Sequence, residues 1–402
     1  MLDFPIDRET PIHPPLYYKE ARGKGRFPRV KLWNGNEVWL VTRYEDVRAV
    51  LRSNAFSVDS ALENYPSVYP TQQEAARKGL RKLSNTDGDE HGRLRRMVAP
   101  VFAPRKIAEL RPMVNDIIRE LLDRAEEQGP TADLYTQFAL PLTSQVLARV
   151  VGIPYEARHL FQRAAHTIFD MSSDPDEAIQ ASIDMAAYLE SALNAALDAA
   201  GSQGGDDLLA LLAREIRATA VTHEEAIALA LLVIRGGFDT TANTIALGIL
   251  LFLQDRRELE VLLANHDLLG GAVEEVLRFT SVARFSARRV ALTDIEIGNT
   301  RIGAGDGVLA LVDSANRDSE VFEQPDRFRI SRGKHGHLTF ADGIHLCLGQ
   351  HLARLEISAA LDAVFRRFPQ MELLDGAPIE FTTGNRVHGI SNLPVLLSPS
   401  AR

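Results

Sequence analysis

Phe340-Ala-Asp-Gly-Ile-His-Leu-Cys-Leu-Gly349 runs directly into a helical pattern from Leu348 to Phe368. Gly343 suits a tight turn or a close backbone approach. Cys347 sits where the helix begins, so unpaired N–H groups and the helix dipole would favour its thiolate. A lone cysteine is ordinarily a small buried hydrophobe. A nucleophile would need a base, and His345 at i,i+2 does not face it. Zinc would need several Cys or His ligands, and the chain has one cysteine and no such cluster. A haem iron needs one protein thiolate.

Working back along the chain, Thr222-His-Glu-Glu225 has the spacing of a capping box. The helix it opens should run to about Asp255, roughly 48 Å at 1.5 Å per residue. It is apolar on nearly all sides and should be buried in the middle of the molecule. Its centre, Arg235-Gly-Gly-Phe-Asp-Thr-Thr241, breaks the pattern. Two interior glycines cost roughly 1 kcal/mol each against alanine. Close packing, with Thr240 bonding back to a carbonyl, is one explanation. The other is a site in which glycines make room for a ligand and Asp239 with Thr240 supplies protons. Arg235 either pairs with Asp239 at i,i+4 or anchors a substrate carboxylate.

Two weaker signals flank this helix. His91 and Arg95, one turn apart, could hold a carboxylate or form a solvated basic face. Glu275 and Arg278 form an i,i+3 ion pair of a kind common on surfaces.

The rest of the chain sets the frame. Residues up to Arg29 are Pro-rich and read as an extended arm. Glu37–Val41 reads as a strand followed by a helix from Asp46, and Phe56–Asp87 as a long loop. Helical patterns dominate from Asp89 to Phe279, with a break at Gly201–Asp207. Short strands are expected at Asp294–Gly298 and Val308–Val312, and again in the tail. The fold class is mainly α with a smaller β part fed from both ends of the chain. That sharing favours one unit over 1–402, against the two or three domains that length alone suggests.

Composition narrows the functions. With 45 basic and 54 acidic residues the net charge is −9, a poor balance for nucleic-acid binding. The longest apolar runs fall well short of the ~20 residues that span a bilayer, and the first thirty residues contain no apolar signal core. A cytoplasmic protein without a membrane segment is expected.

The four stretches Gly236–Thr241, Glu275–Arg278, Pro325-Asp-Arg-Phe328 and Phe340–Gly349 occur in an order that resembles the cytochrome P-450 superfamily, over nearly the whole chain. The texture is similar to the soluble actinomycete-type branch. The resemblance implies a triangular single unit around the long helix, with haem b (iron protoporphyrin IX) as cofactor. Cys347 would be the axial metal ligand. His91, Arg95, Arg289 and His345 would hold the haem propionates, which need cationic and N–H partners when buried. Glu275, Arg278 and Arg327 would form a buried structural network. Asp239 and Thr240 would deliver protons during oxygen activation. Ala341 departs from the glycine usual at that position.

The implied activity is that of a monooxygenase inserting one oxygen atom from O2 into a small organic substrate. Nitric oxide reduction, peroxide-driven oxidation or dehydration on the same fold, and a non-catalytic haem sensor, are the alternatives. No flavin or iron–sulfur segment is visible, so a separate ferredoxin and an NAD(P)H-dependent reductase are expected. Arg93, Arg96, Arg105, Lys106 and Lys334 are candidate docking points. Substrate walls would come from Val58–Asn85, Ala157–Leu189, the central helix and Thr280–Ser286.

Overall fold

The computed structural model describes the chain except residues 71–72, 74–82, 161, 163–173, 200–204, 286, 334–335, 383–384 and 398–402. Lys334, Ser286, the Gly201–Gly204 part of the expected break and parts of the two expected substrate walls lie outside the described residues.

The larger sheet is assembled from both ends of the chain. Strand β1 (Leu2–Asp3) precedes helix α1 (Leu16–Arg22), and β2 (Arg29–Lys31) and β3 (Glu37–Val41) follow. Helix α1 stands where the sequence suggested an extended arm. Pro15 is tolerated as its N-cap because the missing N–H has no helical partner there, and Tyr18 and Ala21 bury the inner face. Next come α2 (Tyr44–Arg52), β4 (Phe56–Ser57), α3 (Gly88–Val98), α4 (Arg111–Glu127), β5 (Thr131–Asp133) and α5 (Leu140–Val151). The helices α6 (Pro175–Ala199), α7 (His223–Gly237), α8 (Asp239–Gln254) and α9 (Leu269–Thr280) lead to β6 (Arg288–Ala291) and β7 (Gly307–Ala310). Helix α10 (Gln350–Arg367) and strands β8 (Glu372–Leu373) and β9 (Pro394–Leu396) close the chain.

The sheet order is β1-β2-β3-β7-β6-β4. Strand β3 pairs in parallel with β7, Val38 opposite Gly307 and Val41 opposite Ala310. Side chains alternate across it with period two. Val38 and Leu40 enter one small core with Phe4, Tyr18 and Leu309; Val41 enters another with Val47, Val50 and Val308. A second sheet, β8-β9-β5, joins the tail to the middle of the chain.

The large core lies among the helices. At its centre runs the His223–Gln254 rod, long and apolar enough to cross a membrane by composition but 72% buried within the protein over its most apolar stretch. Every residue from Thr241 to Phe252 is buried. The capping box at Thr222 and Glu225 is formed. The rod is not continuous: α7 ends at Gly237, Phe238 intervenes and α8 begins at Asp239.

Candidate active site

The break in the rod separates the two glycines' roles. A Cβ on Gly237 would stand 2.8 Å from Leu147 on α5, so this glycine serves close packing. A Cβ on Gly236 would meet nothing within 4 Å, so that position opens onto space. Thr240 Oγ1 donates to the Gly236 carbonyl at 2.8 Å, and Thr244 Oγ1 to the Thr240 carbonyl at 2.8 Å. Hydroxyls that bond back in this way bend helices. Close packing therefore accounts for Gly237 and for the Thr240 back-bond, while Gly236 borders open space.

Asp239 faces a polar set that sequence reading missed. Asn243 Nδ2 donates to its carboxylate at 3.1 Å and to its carbonyl at 2.9 Å. Asn243 Oδ1 accepts from the Ile390 N–H at 3.0 Å. The Tyr135 hydroxyl, on a π-turn at Tyr135–Ala139, bonds to Asp239 and Asn243. Burial, then the Asp239 charge, pushes the Tyr135 phenol up, so it remains a proton donor. Asn243 was visible at i+4 from Asp239, whereas nothing in the sequence links Tyr135 to it. The i,i+4 pairing of Arg235 with Asp239 does not form. Arg235 turns the other way, and its Nη2 donates to Ser182 Oγ on α6 at 2.6 Å.

Cys347 is held by a tight loop. Its N–H donates to the Phe340 carbonyl at 2.9 Å, and Leu346 N–H to Gly343 O at 3.1 Å. Gly343 has φ +75°, and a Cβ there would meet the Leu51 carbonyl at 2.7 Å. Its neighbour Asp342 accepts from Arg48 at 3.1 Å and Arg52 at 2.8 Å, tying the loop to α2. Ala341 has φ +61°, the left-handed region that glycine occupies without cost. Phe340 lies under the Arg354 guanidinium, which in turn bonds Glu274 at 2.6 and 3.0 Å.

The sulfur itself is enclosed by protein yet accessible. Burial pushes the thiol up; main-chain N–H groups of Gly349 and Gln350 and the charges of Arg95 and Arg354 pull it down. A coordinated metal cation would remove the proton outright.

Beside it, the His91 and His345 rings lie 4.3 Å apart. Arg95 donates to the Leu346 carbonyl at 2.7 Å. Arg289 is 5% exposed and donates to the Arg288 carbonyl at 2.9 Å. Burial, then His345 and Arg95, lowers the His91 imidazole to about 4. Among these four groups only Asp87 supplies a carboxylate. It is already engaged by Ser57 and Val58 and stands 3.5 Å from His345 Nε2. Two arginines and two imidazoles sharing a single carboxylate fit a dianionic ligand edge. A single accessible thiol with two N–H groups on it fits one axial bond. No cluster of three metal-ligating side chains occurs among the described residues. The donor set thus fits an iron porphyrin.

The Glu275 network forms with one correction. Arg278 grips Glu275 with Nε and Nη2, both at 2.8 Å, and both side chains are fully buried. The second guanidinium on Glu275 is that of Arg332, at 3.1 and 3.3 Å, not Arg327. Arg327 is exposed and contributes only its carbonyl, to Arg278 and Arg332. Phe328, 6% exposed, packs into the large core. The chain then turns so that Arg329 N–H and Arg332 Nε reach Glu275. Arg278 also holds the carbonyls of Asn316 and Pro325, and Asn316 fixes Thr339 and Leu338, just before the cysteine loop.

Of the proposed docking cations, Arg93 pairs with Glu225, Arg105 with Glu109 at 3.6 Å and Lys106 with Asp206 at 3.0 Å. Arg96 is exposed.

Known proteins match this arrangement. The family model described as Cytochrome P450 matches residues 201–394. A 20-oxo-5-O-mycaminosyltylactone 23-monooxygenase of Streptomyces fradiae is 36% identical over 393 residues, covering 98% of this chain and 91% of that protein. A vitamin D3 dihydroxylase of Streptomyces griseolus is 36% identical over 396 residues, 98% of this chain and 96% of that one. The solved structure of mycinamicin VIII C21 methyl hydroxylase from Micromonospora griseorubida, bound to mycinamicin VIII, superposes with a TM-score of 0.91 at 33% identity. It covers 98% of this chain and 100% of that one. Relatives matched across the whole chain, together with a thiol loop and a broken central helix in the expected places, make this chain a member of the cytochrome P450 family.

Proposed function

We propose that the chain is a haem-thiolate monooxygenase that hydroxylates or epoxidises a small organic substrate of secondary metabolism, folded as one unit over 1–402 in the cytoplasm. The observation that carries this is Cys347: one accessible sulfur, two main-chain N–H groups on it, and a basic cluster of His91, Arg95, Arg289 and His345 beside it. Haem b bound there would supply reductive activation of O2 and oxygen-atom transfer. The protein's part is binding, orientation and proton supply. Cys347 would hold the iron, and the four basic residues the propionates. Thr240, next to the open position at Gly236, is the terminal proton donor. Its hydrogen is parked on the Gly236 carbonyl and must leave it to act. Asp239 recharges Thr240, and Tyr135 with Asn243 orients that acid. Glu275, Arg278 and Arg332 hold the approach to the cysteine loop.

Electrons would come from a separate ferredoxin and an NAD(P)H-dependent reductase. Arg96, exposed and without an acid pair among the described residues, is a docking candidate, so reduction should slow as salt rises. The deciding experiment is the absorption spectrum of the dithionite-reduced protein under carbon monoxide. A strongly red-shifted Soret band is expected. A band at the position of histidine-ligated haem, or no haem after haem-supplemented expression, overturns the assignment.

A further inference from the structure

Arg235 is a half-buried arginine whose guanidinium, among the described residues, hydrogen-bonds only to a neutral hydroxyl, Ser182. That hydroxyl's own hydrogen goes to the Ala178 carbonyl. Among the described residues no carboxylate bonds Arg235. A like charge, Arg386, acts on it, and so does the Tyr69 phenol. The Arg386 guanidinium stands 5.2 Å from the Tyr69 ring centre, and its carbonyl is fixed by the Arg284 N–H at 2.9 Å. A third cation continues the row. Arg288 lies 5.2 Å from the Tyr65 ring, and its Nε and Nη1 make no hydrogen bond. Burial, then Arg386, pulls the Arg235 guanidinium down to about 10, so it remains charged. A guanidinium held next to a like charge and away from bulk water, with only a neutral hydroxyl on it, is costly. Folding does not require this cost, because Ser182 would accept equally well from a neutral group.

We propose that Arg235 and Arg386, with Arg288 behind them, form the seat for a carboxylate on the substrate, so that the natural substrate is an organic acid. This rests on the monooxygenase reading above. Arg235 adjoins the open position at Gly236 and precedes Thr240 by five residues, about 7.5 Å along a helix. The oxidised carbon therefore lies several bonds from the carboxylate.

The test uses the haem-loaded protein and ω-(imidazol-1-yl)alkanoic acids with chains of roughly six to twelve carbons, bracketing that separation. Each is compared with its methyl ester by optical titration; the imidazole binds iron in both. At one chain length the acid should bind at least about tenfold more tightly than its ester, the effect of one charge-assisted hydrogen bond. Arg235→Ala and Arg386→Ala should each erase most of that preference, and Arg235→Lys should keep part of it. Should either alanine variant fail to load haem, the wild-type acid-to-ester ratio and the lysine variant still decide. Esters binding as well as acids at every length overturn the inference, as does failure of every acid where imidazole itself binds. If no imidazole shifts the Soret band and the red-shifted carbon monoxide band is missing, the monooxygenase reading fails instead.

Discussion

Replacing Arg332 with alanine should damage this protein, while replacing Arg327 should not. Arg332 is almost buried, and its Nε donates to both oxygens of a fully buried Glu275. Its terminal nitrogens hold the carbonyls of Glu323, Gln324 and Arg327. Breaking one partner of a buried ion pair typically costs ~3–5 kcal/mol. Glu275 keeps Arg278 and the Arg329 N–H, so the lower end, about 3 kcal/mol, is the better figure. For 402 residues the unfolding entropy is roughly 0.8 kcal/mol/K near 60 °C, so the melting temperature should fall by about 4 °C. Arg327 is exposed and acts through its main chain, so Arg327→Ala should stay within ~0.5 kcal/mol. Scanning calorimetry at one fixed rate measures both, since a chain of this size can unfold irreversibly. The haem-to-protein absorbance ratio reports whether the cysteine loop is still held. Equal losses in the two variants, or a greater loss in Arg327→Ala, would show that the guanidinium on Glu275 has been misassigned.

Other expectations follow from single contacts. Ala341→Gly should stabilise the chain by about 0.5–1 kcal/mol: it relieves ~1–2 kcal/mol of left-handed strain and returns about half as unfolded-state entropy. A lower urea midpoint would contradict that account. Thr240→Ala should leave the carbon monoxide spectrum intact and lower product formed per NAD(P)H at least about tenfold, within the range for a lost proton-transfer group. Unchanged coupling removes Thr240 from its role. Tyr135→Phe takes away one of the two side chains that hold Asp239, so coupling should fall several-fold with substrate affinity unchanged. A loss of affinity instead would make Tyr135 part of the substrate pocket. Acid should destabilise the protein through His388, which burial holds neutral down to about 2. The unfolded chain takes up that proton near pH 6.5 and the folded one does not, so stability falls as pH drops below 6.5. The loss is roughly 2 kcal/mol by pH 5, and His388→Gln should remove it from a pH series of urea melts. Glu274, lowered to about 2 because bonds from His337 and Arg354 outweigh burial, adds its own loss only below about pH 4.5.

What the sequence displayed depended on how local the physics was. Strand Glu37–Val41 was legible because its alternation serves two cores at once, Val38 and Leu40 on one side and Val41 on the other. The capping box was legible because both of its bonds close within four residues. The cysteine loop carried its turn glycine and its helix start on the surface of the text. Helix α1 was not legible, since its stability comes from burying Tyr18 and Ala21 against a sheet completed almost three hundred residues later. Tyr135 reaches Asp239 across about a hundred residues of chain, so no spacing announces it. Arg327 was chosen by its place in a motif. The choice failed because a motif gives order but not the direction a loop turns after Phe328.

Arg235 illustrates the same limit at a single residue. Its i,i+4 relation to Asp239 is a local argument, and spacing alone does not say which partner a side chain takes. The rod is broken between them at Phe238, so Asp239 begins a new helix and is captured by Asn243, four residues further on. Arg235 and Asp239 thus take different partners, Ser182 and Asn243. Gly236→Ala adds a methyl into open space without a steric clash, so any loss it causes reports on that space and not on folding. In that variant the thiolate spectrum should persist while substrate affinity falls. If affinity is unchanged, Gly236 does not border the substrate, and the distance argument that placed a carboxylate beside Arg235 loses its origin.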